Sequence, residues 1–560
     1  MLALILYAAA SKRIRIVNLA SPNRGRLEGE RFHVIVVGGG INGVAIAREC
    51  ARRGRRTLLV EQHDFGAGTT SRSTRIIHGG LRYLEQGDAA LVRESLRERE
   101  RLLRDCPHLV HPLQFLLALD QNSRRSALAV RLGLWLYRRM GGAGRLNGAH
   151  AMEQYKLERL LDSGRRWSIF QFEDAQCEFP ERMVAEWLLD AVDAGAVVRN
   201  HTQVLTTDVF HGRAKGVLLR DLVNGKEEHV GGIWIINATG PWTDRVCHRS
   251  GIALHQPMIG GIRGSHIVLP RFPGAPHTAV YTEAADGRAI FVIPWNDQIL
   301  VGSTEVSDTG NPAKAQPSAE EIDYLLSSVQ QLFPSAKLSY DAIRYAFAGV
   351  RPLPFSRNRN ANAITRRHYL HDHGPDGASN MLSVIGGKLT TAGQLARECA
   401  AKLAGRRPIA PRLVIDDSDV GAAVDNWALQ VAAVARVSET CARSMVEWYG
   451  KRSLAVARMA AAGSALRAPI CSHTEHIVAE AVYALHREFA LGLGDVLLRR
   501  VPVALGACWS EQCSREGAVR IAAAMGWSAE RAAAELESFE LERSSFLRKP
   551  AGTPIEAAAD

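Results

Sequence analysis

Long apolar runs are missing from this 560-residue chain. No stretch reaches the roughly 18 to 20 apolar residues that a bilayer-spanning helix needs, so no transmembrane segment is predicted. Cysteine is sparse, nine residues in all, at 50, 106, 177, 247, 399, 441, 471, 508 and 513. The pattern C-x-x-C never occurs and no cysteine stands at a zinc-type histidine spacing, which predicts a reducing compartment, no disulfide framework and no bound metal. Tandem repeats and low-complexity tracts are also missing, which excludes solenoids and disordered arrays. Acidic residues fall short: Lys plus Arg number 69 against 58 Asp plus Glu, a formal charge of +11. Such an excess favours a phosphate-bearing ligand, nucleic acid or an anionic membrane surface. No recognisable nucleic-acid motif accompanies it, so nucleic acid is not an expected partner. What the chain does have is apolar content of 46%, enough for sizeable cores in more than one domain.

Residues 33–61 run strand, glycine turn, helix, strand: "HVIVV", "GGG", "VAIARECARRG" and "TLLVE". That order opens a doubly wound α/β fold. Strand-like runs recur through 204–210, 232–240, 265–270, 289–295 and 298–303, and helical spacing replaces them from about residue 415. The segment 88–105 is predicted as an amphipathic helix with its charges on a solvated face. The expected class is therefore α/β with α+β segments: a doubly wound dinucleotide-binding domain, a β-rich substrate domain and an α-helical C-terminal cap. Residues 1–30, with the short apolar stretch "MLALILYAAA", are expected to form a leader outside the folded unit.

Gly38, Gly40 and Gly43 stand in G-x-G-x-x-G register between strand and helix, with Asn42 inside the turn. Backbone N–H groups and the positive helix end can then meet a pyrophosphate without Cβ interference. Glu61 closes the next strand, placed to accept from a ribose hydroxyl. The turn alone fits NAD or FAD. A second small-residue strand end, "NATGPW" at 237–242, offers Thr239 and Gly240 to the same ligand far downstream. Such a distant return suits the discontinuous cofactor domain of a flavoprotein, so FAD is the expected cofactor.

"GAGTTSRSTRIIHGGLRYLEQGD" (66–88) resembles the FAD-dependent glycerol-3-phosphate dehydrogenase family, of the aerobic, quinone-linked type. Further similar segments follow in order: "NATGPWTD", "IRGSHIVLPR", "FVIPW", "VGSTEV", "AGVRPL", "AITRRHYL", "SVIGGKLTTAGQLA" and "EFALGLGDVLLRRV". The resemblance implies an FAD-binding unit over 31–414 with a substrate-binding insertion at about 105–195 and 250–345, then a helical domain over 415–560. It implies oxidation of sn-glycerol 3-phosphate at C2 to dihydroxyacetone phosphate. Two segments depart from the family pattern beside the expected site, "EFPERM" (178–183) and "GSTE" (302–305).

That reaction needs guanidinium groups for a phosphate dianion, a proton acceptor for the hydroxyl and a positive group near the reduced flavin. Arg82 and Arg351 match the family's substrate arginines. His78 and His266 are the candidate bases, because neutral imidazole accepts a proton near pH 7; Tyr83 either contacts substrate or fills the core. Lys388, with Gly387 and Leu389 in "GGKLTTAG", sits at a predicted helix start where its ammonium and the helix end favour an anionic flavin. Thr70, Ser71 and Thr74 offer hydroxyls to the cofactor.

The electron acceptor is read from the surface. "RRSALAVRLGLWLYRRM" (124–140) carries an apolar body flanked by arginines, as a helix lying in an anionic interface does. Quinone is thus the expected acceptor, with the protein cytoplasmic and peripherally attached to the inner face of the cytoplasmic membrane. The sequence leaves open an oxygen-using oxidase of glycerol 3-phosphate or of an amino or hydroxy acid, a non-catalytic flavin sensor, and a homodimer.

Overall fold

The computed structural model describes residues 24–85, 87–141, 150–284, 286–357, 364–404, 420–506 and 510–546. Its first strand, Arg31–Val37, is central because both faces are apolar: Val34, Ile35 and Val36 have no exposed surface. It pairs in parallel with Thr57–Val60 on one side and Glu227–Asn237 on the other. Met381–Ile385 and Val197–Arg199 extend the parallel set outward. Buried on both faces, such strands read as continuous β-branched runs. The antiparallel hairpin Thr202–Phe210 and Arg213–Asp221 attaches beside Glu227–Asn237.

A second, largely antiparallel sheet is ordered Val306–Ser307, Ile262–Pro270, Gln298–Gly302, Ala289–Trp295, Ala279–Glu283, His111–Asp120, Trp167–Gln176 and Ile76–Ile77, with Tyr345–Arg351 on Ile262–Pro270. Helices between Val420 and Phe546 form the cap. One apolar core joins cap and second sheet, with Trp295, Tyr345 and Phe347 packed among Leu497, Leu498 and Phe539.

Three expectations change. Residues 24–30 belong to the fold: Arg24 pairs with Asp221 at 3.0 Å, and Leu27 is buried against Phe32 and Val230. Residues 1–23 lie outside the described residues. Helix Pro180–Asp193, assigned to the substrate insertion, packs instead on helix Ile41–Arg52, because Met183, Val184, Trp187 and Leu188 share a core with Val44 and Ile46. The helix expected at 88–105 forms over Ala89–Asp105, capped by Asp88, but its polar face is not all solvated. Glu98 and Arg99 are buried, and Arg99 pairs with Asp174 at 2.8 Å, an alternation that a count of apolar positions does not register.

Candidate active site

A cavity of about 1180 Å³ runs from the glycine turn, between the two sheets, to the cap. At one end the turn is built by exclusion. Gly38 holds φ +105°, and a Cβ there would lie 2.6 Å from the Ala238 carbonyl oxygen. A Cβ on Gly43 would lie 1.8 Å from the Gly38 carbonyl oxygen, so this third glycine serves helix-to-strand contact and does not line the cavity. Helix Ile41–Arg52 starts from Gly40 with no side-chain cap and no acidic residue in its first turn, leaving its positive end toward the cavity. Asn42 Oδ1 is buried there without a hydrogen-bond partner. This set suits an anionic pyrophosphate with neighbouring hydroxyls, and FAD meets that description.

The acid at the second strand is braced. Glu61 accepts from Gly39 N–H at 2.7 Å through one oxygen and from His63 N–H at 2.9 Å through the other, keeping both oxygens on the cavity wall. Thr70 accepts from the Ile41 amide at 3.1 Å. Ser71 turns away: its hydroxyl donates to the Ala67 and Gly68 carbonyls and it lines no part of the cavity. Thr74 also lines the cavity and shares a 2.9 Å hydrogen bond with His266 Nε2. Thr239 donates to Asn237 Oδ1 at 2.6 Å, and Gly240 beside it also borders the cavity. Gly387, at φ +94°, packs on Asn42, and Lys388 and Leu389 beside it line the cavity.

Arg351, His266, Lys388, His78 and Tyr83 line the same cavity. Arg351 closes strand Tyr345–Arg351, and its guanidinium fills space that a side chain on Gly264 would occupy. It donates to Ser303 Oγ at 2.5 Å and to the Thr304 carbonyl at 3.3 Å. His266, on the paired strand, stacks on Phe347 with ring centroids 5.0 Å apart. Burial first, then the Arg351 and Arg75 charges, pull its pKa down to about 3. It is therefore neutral across the working range, and its Nδ1 is buried without a partner. Lys388 donates to Ser95 Oγ at 2.9 Å, with Nζ 4.5 Å from the Tyr83 ring centroid. His78 lies 6.4 Å from Tyr83, ring to ring, and both line the cavity. Arg82 belongs to helix Leu81–Glu85, but its side chain lies outside the described part of the structure.

Burial draws the Lys388 pKa down to about 7. Between about pH 7 and the ordinary lysine value near 10.4, the unfolded chain holds a proton that the folded one has released, so stability rises with pH in this window. Substrate-free protein is thus expected to gain in melting temperature, relative to Lys388→Met, as pH goes from 7 to 9. Parallel melting curves for the two proteins would contradict this.

Sequence reasoning missed several wall residues. Arg366 lines the substrate end, nearly buried, paired with Glu305 at 2.7 Å, whereas its neighbour Arg367 is exposed and bound to Asp88. Nothing local in "TRRHY" says which arginine turns inward. Arg72 lines the cavity as well, its pKa drawn down to about 10 by burial. The cap adds Arg499 and Glu542. Of the two departing segments, Ser303 and Glu305 do line the cavity, but "EFPERM" does not. There Glu181 takes two bonds from Arg75, at 2.9 and 3.0 Å, and Arg182 bonds Glu488 of the cap, so that segment ties domains together. Gly43→Ala is expected to yield colourless protein lacking bound FAD, read from the absorption of the purified chain; a full flavin spectrum would overturn the packing argument.

Comparison with known proteins agrees with this geometry. Residues 33–393 match the family described as FAD dependent oxidoreductase, and residues 418–532 match the C-terminal domain of alpha-glycerophosphate oxidase. Glycerol-3-phosphate dehydrogenase of Synechocystis is 37% identical over 86% of this chain and 91% of its own length. Aerobic glycerol-3-phosphate dehydrogenase of Escherichia coli is 34% identical over 84% and 94%, and D-erythritol 1-phosphate dehydrogenase of Brucella abortus 32% over 84% and 94%. The structure of glycerol-3-phosphate dehydrogenase from Bacillus halodurans, complexed with FAD, superposes with a TM-score of 0.73 over 95% of this chain and 97% of that one, at 23% identity. The chain is a flavin-dependent oxidoreductase and belongs to the FAD-dependent glycerol-3-phosphate dehydrogenase family.

Proposed function

We propose that this enzyme oxidises sn-glycerol 3-phosphate to dihydroxyacetone phosphate and passes the electrons to a membrane quinone. The observation that carries the reading is the meeting of Arg351, Arg366, neutral His266 and Lys388 in one cavity continuous with the glycine turn. The Gly38–Gly40 turn, Glu61 and the Gly387–Leu389 segment would hold FAD, which would supply the hydride acceptor for C2. Arg351 and Arg366 grip the phosphate dianion through charge-assisted bonds. His266 accepts the C2 hydroxyl proton, Nδ1 being its uncommitted nitrogen. Burial is the main reason His266 stays neutral; negative charge of the dianion beside Arg351 offsets the lesser, charge-based part of that effect and so favours proton uptake. Lys388, readily ionised either way near neutral pH, provides positive charge when negative charge develops opposite it.

A relative named for D-erythritol 1-phosphate makes a longer polyol phosphate the competing substrate. Comparing kcat/KM for glycerol 3-phosphate, erythritol phosphate and small amino acids with an artificial electron acceptor tests the choice. Preference for glycerol 3-phosphate is expected; preference for either rival overturns the substrate assignment.

Delivery to quinone needs contact with a membrane, and no helix among the described residues is long and apolar enough to cross one. Helix Ala127–Gly141 supports peripheral contact with the inner face of the cytoplasmic membrane. Val130, Leu134 and Tyr137 bury one side, while Leu128, Leu132 and Trp135 are 76%, 64% and 58% exposed. Arg131, Arg138 and Arg139 flank that apolar side, the arrangement of an interfacial helix on anionic lipid. Leu132→Glu with Trp135→Glu is expected to cut co-sedimentation with phosphatidylglycerol vesicles about tenfold or more, since each apolar side chain contributes about 1.5 kcal/mol or more, with dye-linked turnover retained. Unchanged sedimentation would remove this helix from the contact.

A further inference from the structure

Three groups of side chains among the described residues have metal-ligating atoms within 4.8 Å of one another. Two are already satisfied internally. His371 and His373 share one oxygen of Asp376, at 2.7 and 2.8 Å, and His373 also bonds Ser383 at 2.7 Å. Asp64 and Asp495 are held by Arg499 and Arg500. The third group has a different chemistry: the thiols of Cys471 and Cys513 and the imidazole of His473.

We propose that Cys471, His473 and Cys513 bind a zinc ion that clips a hairpin of the cap to its neighbouring helix. Two thiolates with one imidazole form a soft donor set that zinc prefers over magnesium or calcium. Tetrahedral zinc with sulfur at about 2.3 Å and nitrogen at about 2.0 Å sets its ligands roughly 3.5 to 3.8 Å apart. Here His473 Nδ1 lies 3.2 Å from Cys513 Sγ, and all three atoms lie within 4.8 Å of one another. Small side-chain rotations suffice to seat the ion.

The backbone beneath these ligands is hydrogen-bonded on both sides. Cys471 and His473 occupy the tip of a hairpin closed by the Pro469–Ile477 bridge and by Ile470 N–H to His476 carbonyl at 2.8 Å. Cys513 lies in the first turn of helix Glu511–Met525, with its amide capped by Ser510. Arg520 of that helix donates to the Pro469 carbonyl at 2.6 Å, and Ile470 packs on Gly517, so hairpin and helix are already docked. Both cysteines are buried and His473 is exposed, so the group borders solvent. On binding, each thiol gives its proton to solvent and the thiolates neutralise the dication. The sequence hides the site because Cys513 is distant from the other two ligands and the group forms only when hairpin and helix meet.

The test is metal analysis of the flavin-containing protein, purified without chelator and incubated with Zn²⁺ before desalting. About one zinc per chain is expected, with Cys513→Ser and His473→Gln each falling below about a tenth of that while flavin content and glycerol 3-phosphate turnover persist. Cobalt(II) in place of zinc is expected to give the strong red ligand-field absorption of a tetrahedral thiolate site, beyond the flavin bands; this reading needs no variant to fold. Zinc-free protein after incubation, zinc retained equally by both variants, or weak octahedral cobalt absorption would each overturn the proposal. So would a Cys471–Cys513 disulfide found by peptide mapping of protein handled without oxidant.

Discussion

Replacing Arg351 with alanine is expected to leave a yellow, folded protein whose kcat/KM for glycerol 3-phosphate falls about 10²- to 10³-fold. The magnitude follows from its position. The guanidinium lies within the cavity, oriented by Ser303 and the Thr304 carbonyl, and faces His266 across neighbouring strands. Losing one partner of a buried, charge-assisted contact removes about 3 to 5 kcal/mol, and each 1.4 kcal/mol or so is tenfold in rate. Arg351 also depresses the His266 pKa, so its removal is expected to raise that pKa and shift the acid limb of the pH profile upward. Arg351→Lys is expected to recover only part of the loss, since an ammonium cannot form the planar fork. Steady-state kinetics across pH checks both statements; wild-type kcat/KM in Arg351→Ala would remove this residue from substrate binding.

The second large effect is on stability. Asp64 is buried where cofactor domain and cap meet, accepting two bonds of 2.8 Å from Arg500, one of 2.5 Å from Arg499 and one of 3.1 Å from Asn200. Asp64→Ala leaves the buried Arg500 guanidinium without a carboxylate and takes one of three from Arg499, which keeps Asp495 and Glu542. Breaking a buried ion pair from one side costs about 3 to 5 kcal/mol, and for a chain of 560 residues a melting temperature lower by roughly 3 to 4 °C is expected. Because Asp64 and Arg499 also border the cavity, flavin release is expected to begin earlier on heating. Adding Arg500→Met to Asp64→Ala is expected to restore part of the loss, as the second variant removes one stranded cation. Thermal unfolding followed by flavin fluorescence measures both. A melting temperature within about 1 °C of wild type would contradict this view of how the cap is held.

The cofactor end of the site is legible in the sequence because its logic is local and steric. Gly43 is required by the Gly38 carbonyl a few residues away, Gly38 by its φ and by the Ala238 carbonyl at the second strand end, and Glu61 follows directly after the next strand. The second strand end at Thr239 is legible for the same reason. Charged residues are less legible, since their role depends on which distant element they meet. Arg366 and Arg367 are adjacent and chemically alike, yet one lines the cavity and the other binds Asp88 at the surface. Glu98 and Arg99 occupy helix positions that periodicity assigns to solvent, and only the strand carrying Asp174 makes them interior. Arg182 and Glu181 sit in a segment that departs from the family pattern beside the expected substrate site; their partners Glu488 and Arg75 reveal a link between domains. Thr74 shows a smaller shift, a hydroxyl expected at the cofactor but bonded to His266.

The most direct measurement is anaerobic titration of the purified yellow protein with glycerol 3-phosphate while the flavin absorption is followed. The account predicts complete bleaching at about one equivalent of substrate oxidised per flavin, with formation of dihydroxyacetone phosphate, and return of the colour when a quinone is added. Retention of the oxidised spectrum under saturating glycerol 3-phosphate, in protein that binds FAD, would contradict it.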